Sequence, residues 1–291
     1  MSDLPIHRHR QEHMATFFEL RIAHENETYA RQAAQAAFAI TARLEALLSR
    51  YRDDSEVTQI RALPVGETLR VNPDTFHCLQ LAAQMQAATG GAFDPGLGAQ
   101  MDIQRGDSAA TGETPRGRLV MDPQRFTVSI IDGTVALDLG AIGKGFTLDR
   151  MAEELQNWDI TRALLIAGDS SILALDGPAP DAAGWEISLS PAKKLSLQRL
   201  AVGASGTTVK GLHILDPRTG QPAAGPFRTW AVHPSAAIAD ALSTAWMLLA
   251  PEEIDHVCRA LPGSQAILQL RGHDSSQLSI FGPYEEEHPH A

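Results

Sequence analysis

The stretch Leu137-Asp138-Leu139-Gly140-Ala141-Ile142-Gly143-Lys144-Gly145-Phe146-Thr147-Leu148-Asp149-Arg150 decides how the chain is read. Just before it, Thr134-Val135-Ala136-Leu137 is short, apolar and partly β-branched, which predicts a strand over 134–139. Gly140, Gly143 and Gly145 then surround Lys144, and Leu148, Met151, Ala152 and Leu155 recur at helical spacing. The reading is strand, glycine turn, helix. Such a turn presents backbone N–H groups at a helix N-terminus, where hydrogen bonds and the helix dipole both favour an anion. Lys144 adds a positive charge at the same place. The pattern GxxGKG is neither the P-loop, which needs Ser or Thr after its lysine, nor the dinucleotide fingerprint GxGxxG. A plain corner that uses glycine for positive φ and leaves Lys144 solvated accounts for this stretch equally well. The rest of the chain has to decide.

Working outward, 291 residues suffice for one large domain or two ordinary ones. Hydrophobic residues at 44% and charged residues at 20% predict a packed core. The net charge of −11, with acids spread through the chain, argues against a nucleic-acid footprint, which needs a concentrated basic stripe. No run of apolar residues is long enough to span a bilayer. The start, MSDLPIHRHRQEHM, lacks the apolar core of a signal peptide, so the expected location is cytoplasmic. Cys78 and Cys258 both lie in apolar helical patterns and read as core residues, with no disulfide framework.

Upstream, residues 1–13 are rich in His and Arg and are expected to form a disordered tail. A strand is predicted over 16–22 and a helix over 27–50, followed by a short helix capped by Asp54 or Ser55. A further helix over 73–88 stops at Gly90-Gly91, and residues 100–117 read as a surface loop. Strands are predicted at 118–121 and 127–131. Downstream of the central helix, strands are predicted at 163–166, 172–175, 185–189, 196–202, 213–215, 229–232, 266–270 and 278–281. A helix over 235–249 stands between the last three, and residues 284–291 read as a mobile acidic tail.

Besides the Lys144 turn, three sets of residues could carry chemistry. Asp240 and Thr244 share one face of the helix Ala236–Trp246, and apart from Ser243 all else around them is apolar. An unpaired carboxylate is costly to bury there, and Mg²⁺ with oxygen ligands would relieve the cost. On spacing alone, this face reads more readily as the solvent side of an alanine-rich helix. His213 opens a strand that ends in Asp216-Pro217-Arg218-Thr219-Gly220, where it could act as base, orienter or plain strand residue. Glu56, Asp94, Asp138 and Asp169 are acids at the ends of apolar elements.

Taken in order, a set of pieces resembles the FAD:protein FMN transferases, the ApbE family. The pieces are Met14…Thr16, Glu45-Ala46-Leu47-Leu48-Ser49-Arg50-Tyr51…Asp54-Ser55-Glu56 and Gly90-Gly91-Ala92-Phe93-Asp94-Pro95. Asp138-Leu139-Gly140-Ala141-Ile142-Gly143-Lys144-Gly145, Ser205-Gly206, His213 to Gly220 and Ala239 to Thr244 complete it. The resemblance implies a single α+β unit over residues 14–283, two-lobed, with mixed sheets packed by helices and an FAD cleft between the lobes. It implies Mg²⁺-dependent transfer of FMN from FAD to a Ser or Thr hydroxyl of an acceptor protein, with release of AMP. On the same basis Ala141, Asp240 and Thr244 would hold the metal, the Lys144 turn the pyrophosphate, and His213 a role in transfer. Met14 and Tyr51 would line the flavin ring, with Ala92, Phe93, Asp94, Asp138, Gly168, Asp169, Ile214 and Leu215 as further FAD contacts. Where the family carries Asn, this chain has Arg61. Ala167 replaces one glycine of a pair, and the 207–212 segment is short and lacks a tyrosine. These departures keep two alternatives open, a non-enzymatic FAD-binding protein and an FAD pyrophosphatase that yields FMN and AMP.

Overall fold

The computed structural model describes residues 4–105, 117–190, 193–206, 214–270 and 277–282. Its main element is an eight-stranded antiparallel sheet. The strands are β1 (Ile6–His13), β2 (Thr16–Ala23), β6 (Ala163–Ala167), β7 (Ser171–Ala174), β10 (Leu200–Gly206), β11 (Arg228–His233), β12 (Gln265–Gln269) and β13 (Leu278–Phe281), in that spatial order. A second sheet holds β3 (Thr68–Arg70), β5 (Thr127–Asp132) and β4 (Arg118–Asp122). A separate ribbon pairs β8 (Trp185–Ser190) with β9 (Lys193–Leu197).

Each face of the large sheet buries a different partner, as alternating side chains require. Phe18, Leu20, Ile22 and Leu165 pack against α1 (Glu27–Leu48) and α5 (Gly143–Asn157) through Ala33, Ala37, Leu148 and Met151. On the other face Leu164, Val202, Trp230 and Ile267 meet Trp185, Ile187 and Leu195 of the ribbon. The second lobe has its own core, in which the small sheet packs with α2 (Glu56–Ala62), α3 (Pro73–Ala88), α6 (Ala236–Ala245) and α7 (Pro251–Ala260). The expected α+β unit with two lobes is what forms. Among the described residues, no helix is long and apolar enough to cross a membrane.

Helix starts follow their caps. Asn26, Ser55 and Asn72 accept backbone N–H groups of the first turns of α1, α2 and α3, and Pro73 occupies the first position of α3. Four expectations are corrected. Residues 6–13, expected to be disordered, form β1, paired along its whole length with β2. Residues 135–139, expected as strand, form no strand, and Ala136 and Asp138 instead bond to Gly98 and Pro95. The loop expected over 100–117 contains part of α4 (Gly98–Arg105). The single strand expected over 196–202 is broken at Arg199, where φ is +51°, into β9 and β10. The tail at 284–291 lies outside the described residues.

Candidate active site

Helix α5 begins at Gly143 without a side-chain cap. Among its first amides, Gly143 N–H donates to the Leu139 carbonyl at 2.7 Å, and Gly145 N–H donates across to Asp240 Oδ2 of α6 at 3.1 Å. The Lys144 ammonium lies 3.3 and 3.5 Å from the two Asp240 oxygens, and Ser171 Oγ donates to Oδ1 at 2.9 Å. Asp240 is only 3% exposed. The expectation that this helix face meets solvent is therefore wrong. Helix α6 is covered on both sides by backbone: a Cβ on Gly145 would stand 2.1 Å from the Ala236 carbonyl oxygen. One on Gly203 of β10 would stand 2.2 Å from that of Ala239. Only glycine allows such approaches, and they press a carboxylate against a helix N-terminus.

Thr244 is half-buried one turn further along. Its Oγ1 lies 3.2 Å from Ser205 Oγ, which is 2.9 Å from Ser243 Oγ, and Ser243 Oγ donates to the Asp240 carbonyl at 2.8 Å. The Ser205-Gly206 piece and the Asp240…Thr244 piece thus meet in space. The Lys144 ammonium also lies 3.4 Å from the Gly140 carbonyl, one residue before Ala141. The ammonium thus lies between the Asp240 carboxylate and the Gly140 carbonyl, a cation among oxygens. The surrounding donors are carboxylate, hydroxyl and carbonyl oxygens, which suit Mg²⁺. Among the described residues, no three or more His, Cys, Asp or Glu form a metal cluster. A cation here would have one carboxylate and would take further oxygens from the ligand.

Asp138 stabilises the corner itself, accepting the Gly140 N–H at 2.8 Å. It is paired with Arg50, whose guanidinium also binds Asp102 and the Gly98 carbonyl, the last at 3.0 Å. Arg61, the departure from the family pattern, donates to the other oxygen of Asp102 at 2.9 Å. Met14 and Ala15 form the tip between β1 and β2, and Met14 Sδ lies 3.7 Å from Thr147 Oγ1 of α5. Gly168 has φ +56° and packs on Thr16, while Asp169 beside it is exposed. Tyr51 is 69% exposed, with the Arg50 guanidinium 5.5 Å from its ring centre. Ala92 and Phe93 are core residues, and Asp94 accepts the Gly96 N–H at 2.7 Å. Ile214 packs with Ala223 and Met247, and Leu215 bridges to Pro222. His213 lies outside the described residues.

Two contributors were not legible in the sequence. Arg50 stands inside the Glu45–Tyr51 piece, which gave it no role of its own. Asp149 on α5 accepts Ser235 Oγ at 2.7 Å and the N–H groups of Ala236 and Ala237 at 2.7 and 3.0 Å, capping α6 from outside. Burial raises the Asp149 carboxyl above the usual range against those bonds. The cysteines are inert core residues: burial pushes the Cys78 thiol up to about 12 and that of Cys258 up to about 11. A hollow of about 740 Å³ runs along another face of α5, past Asp149, Arg150 and Glu153, and includes neither Lys144 nor Asp240.

Comparison with known proteins gives one consistent picture. The family model described as the ApbE family matches residues 14–268. An FAD:protein FMN transferase of Treponema pallidum (strain Nichols) is 28% identical over 276 residues, covering 81% of this chain and 76% of that protein. One of Rhodobacter capsulatus is 26% identical over 241 residues, 72% of this chain, which spans only 45% of that relative's length. The apo crystal structure of the Pseudomonas stutzeri flavinyl transferase ApbE superposes with a TM-score of 0.80 at 22% identity. That match covers 96% of both chains.

Proposed function

The chain belongs to the ApbE family, and from that premise we propose that it is an FAD:protein FMN transferase that uses Mg²⁺. In the reaction, the oxygen of an acceptor Ser or Thr hydroxyl bonds to the FMN phosphorus of FAD. The bond from that phosphorus to the AMP phosphate breaks, the hydroxyl proton is released, and AMP leaves as an anion. The observation that carries this reading is the meeting of Lys144 and Gly145 with the buried Asp240.

Cleavage of a pyrophosphate depends mainly on positioning and on neutralising charge, with little covalent chemistry for the protein to perform. In this reading, the Lys144 ammonium and the turn around it hold the diphosphate. Asp240, Thr244 and the Ala141 carbonyl hold the cation, which when bound neutralises charge on the phosphate oxygens. Lys144 can leave Asp240, because at 22% exposure it has room to swing toward the diphosphate. The Asp138–Arg50 pair keeps the corner in shape for both. Arg61, being engaged by Asp102, need not intrude on the cation site. Met14 and Tyr51 supply the flavin walls, and His213 assists transfer. The nucleophile comes from the acceptor, so the chain needs no nucleophilic triad of its own.

The test is incubation of the protein with FAD, Mg²⁺ and an acceptor protein carrying exposed Ser and Thr. The expected result is AMP released in step with covalent flavin on the acceptor, and none when the metal is chelated. Bound FAD without AMP would instead mark a carrier. Free FMN in place of covalent flavin would mark a pyrophosphatase.

A further inference from the structure

We propose that Glu45 is a positioning residue that sets the flavin-facing wall of the cleft by holding the Met14–Ala15 turn in its left-handed conformation. The inference rests on the reading that this cleft takes FAD, and it adds a residue from α1 that touches neither flavin nor phosphate. Met14 and Ala15 have φ of +51° and +55°, two consecutive left-handed residues with a Cβ at each. Two-residue hairpin turns of this kind ordinarily use Asn-Gly or Gly-Gly, because side chains resist positive φ. Neither is present here, so something outside the hairpin must hold the tip.

Glu45 is that anchor. Its Oε1 accepts the Met14 N–H at 2.7 Å, and its Oε2 lies 3.2 Å from His13 Nδ1. The hydrogen bonds of one carboxylate thus fix the residue before the turn and the first residue of it. The anchored tip is wedged where the candidate site needs it. Met14 Sδ lies 3.7 Å from Thr147 Oγ1, whose proton goes to the Gly143 carbonyl at 2.8 Å in the first turn after the lysine corner. On the other side, a Cβ on Gly168 would come within 2.6 Å of Thr16 Oγ1, so the tip also abuts the 167–170 turn. That turn leads directly into Ser171, which donates to Asp240. The Glu45 bond therefore determines where the Met14 side chain stands relative to the diphosphate site. A strained backbone held by its surroundings at such a place is a common device for fixing a binding wall.

Binding of FAD and of ADP to the full chain, each with Mg²⁺, separates this role from a merely structural one, because ADP lacks the flavin ring. Glu45→Ala is expected to weaken FAD at least 10-fold while ADP changes less than 2-fold. Glu45→Gln, whose amide oxygen can still accept the Met14 N–H, should stay within 3-fold of wild type. Adding Ala15→Gly to Glu45→Ala should restore part of the FAD affinity, since glycine relieves the strain at one of the two left-handed positions. Equal losses for FAD and ADP, or FAD binding unchanged by Glu45→Ala, would overturn the role of Glu45. Wild-type protein that binds ADP but not FAD, or neither, would instead refute the reading of the cleft and remove this proposal with it.

Discussion

Asp149 and Asp240 make an instructive pair. Both are carboxylates at the crossing of α5 and α6, and each reaches across to the N-terminal end of the other helix. Asp149 is held by two backbone amides and the Ser235 hydroxyl, donors fixed by the helix they belong to. Asp240 has one backbone amide, while its other donors are the Ser171 hydroxyl and a lysine at the end of a flexible stem. The difference decides what each can do. A carboxylate locked by backbone stabilises a helix, whereas one held partly by a movable ammonium can exchange that cation for another.

The contrast is most sharply tested by removing each acid in turn. Asp240→Asn should lower FAD turnover about 10³-fold, the scale expected when a charge-stabilising group is lost from an active site. The melting temperature should stay close to that of wild type, since the amide oxygen can still accept the Gly145 N–H while its NH₂ donates to Ser171 Oγ. Asp149→Ala should do the reverse. Loss of three bonds from a buried helix end should cost roughly 3 kcal/mol, a fall in melting temperature of about 6–10 °C, with turnover per folded molecule little changed. If Asp149→Ala abolished turnover in folded protein, or Asp240→Asn mainly melted it, the two roles would have to be exchanged.

The smallest effect comes from His233, at the entrance to α6. Its Nδ1 accepts the Ser235 N–H at 2.9 Å, and burial holds the imidazole below its ordinary value. In the unfolded chain His233 takes up its proton near pH 6.5, and in the folded one only at lower pH. Its contribution is therefore fully present above about pH 6.5 and is lost as the pH falls through the folded value. His233→Gln should flatten that acid-side decline in thermal melts, with no effect on the alkaline side. A decline of unchanged steepness would assign it to other groups.

What could be read from the sequence followed from local causes. The helix over 73–88 was legible because Asn72 caps it and Pro73 starts it, and α5 because its apolar spacing follows directly on the glycines. β1 was misread because an edge strand with one open side needs few apolar residues, and IHRHRQEH looks like a tail by composition. The break at Arg199 carries no glycine or proline to announce it. The burial of Asp240 could not be inferred from its own helix, since an alanine-rich face suits solvent and close backbone contact equally. What settles it lies far away, at Gly145 and Gly203. Asp149 was illegible for the same reason, its partners being 86 to 88 residues downstream.

Three glycines grip α6 and the turn after it. Gly145 and Gly203 crowd the Ala236 and Ala239 carbonyls, and a Cβ on Gly225 would come within 2.3 Å of the Met247 carbonyl oxygen. The helix is thereby left without slack to slide or rotate, like a shaft seated in close bearings. If the proposed site is right, adjustment to a different acceptor would have to come from elements other than α6, whose setting these contacts fix.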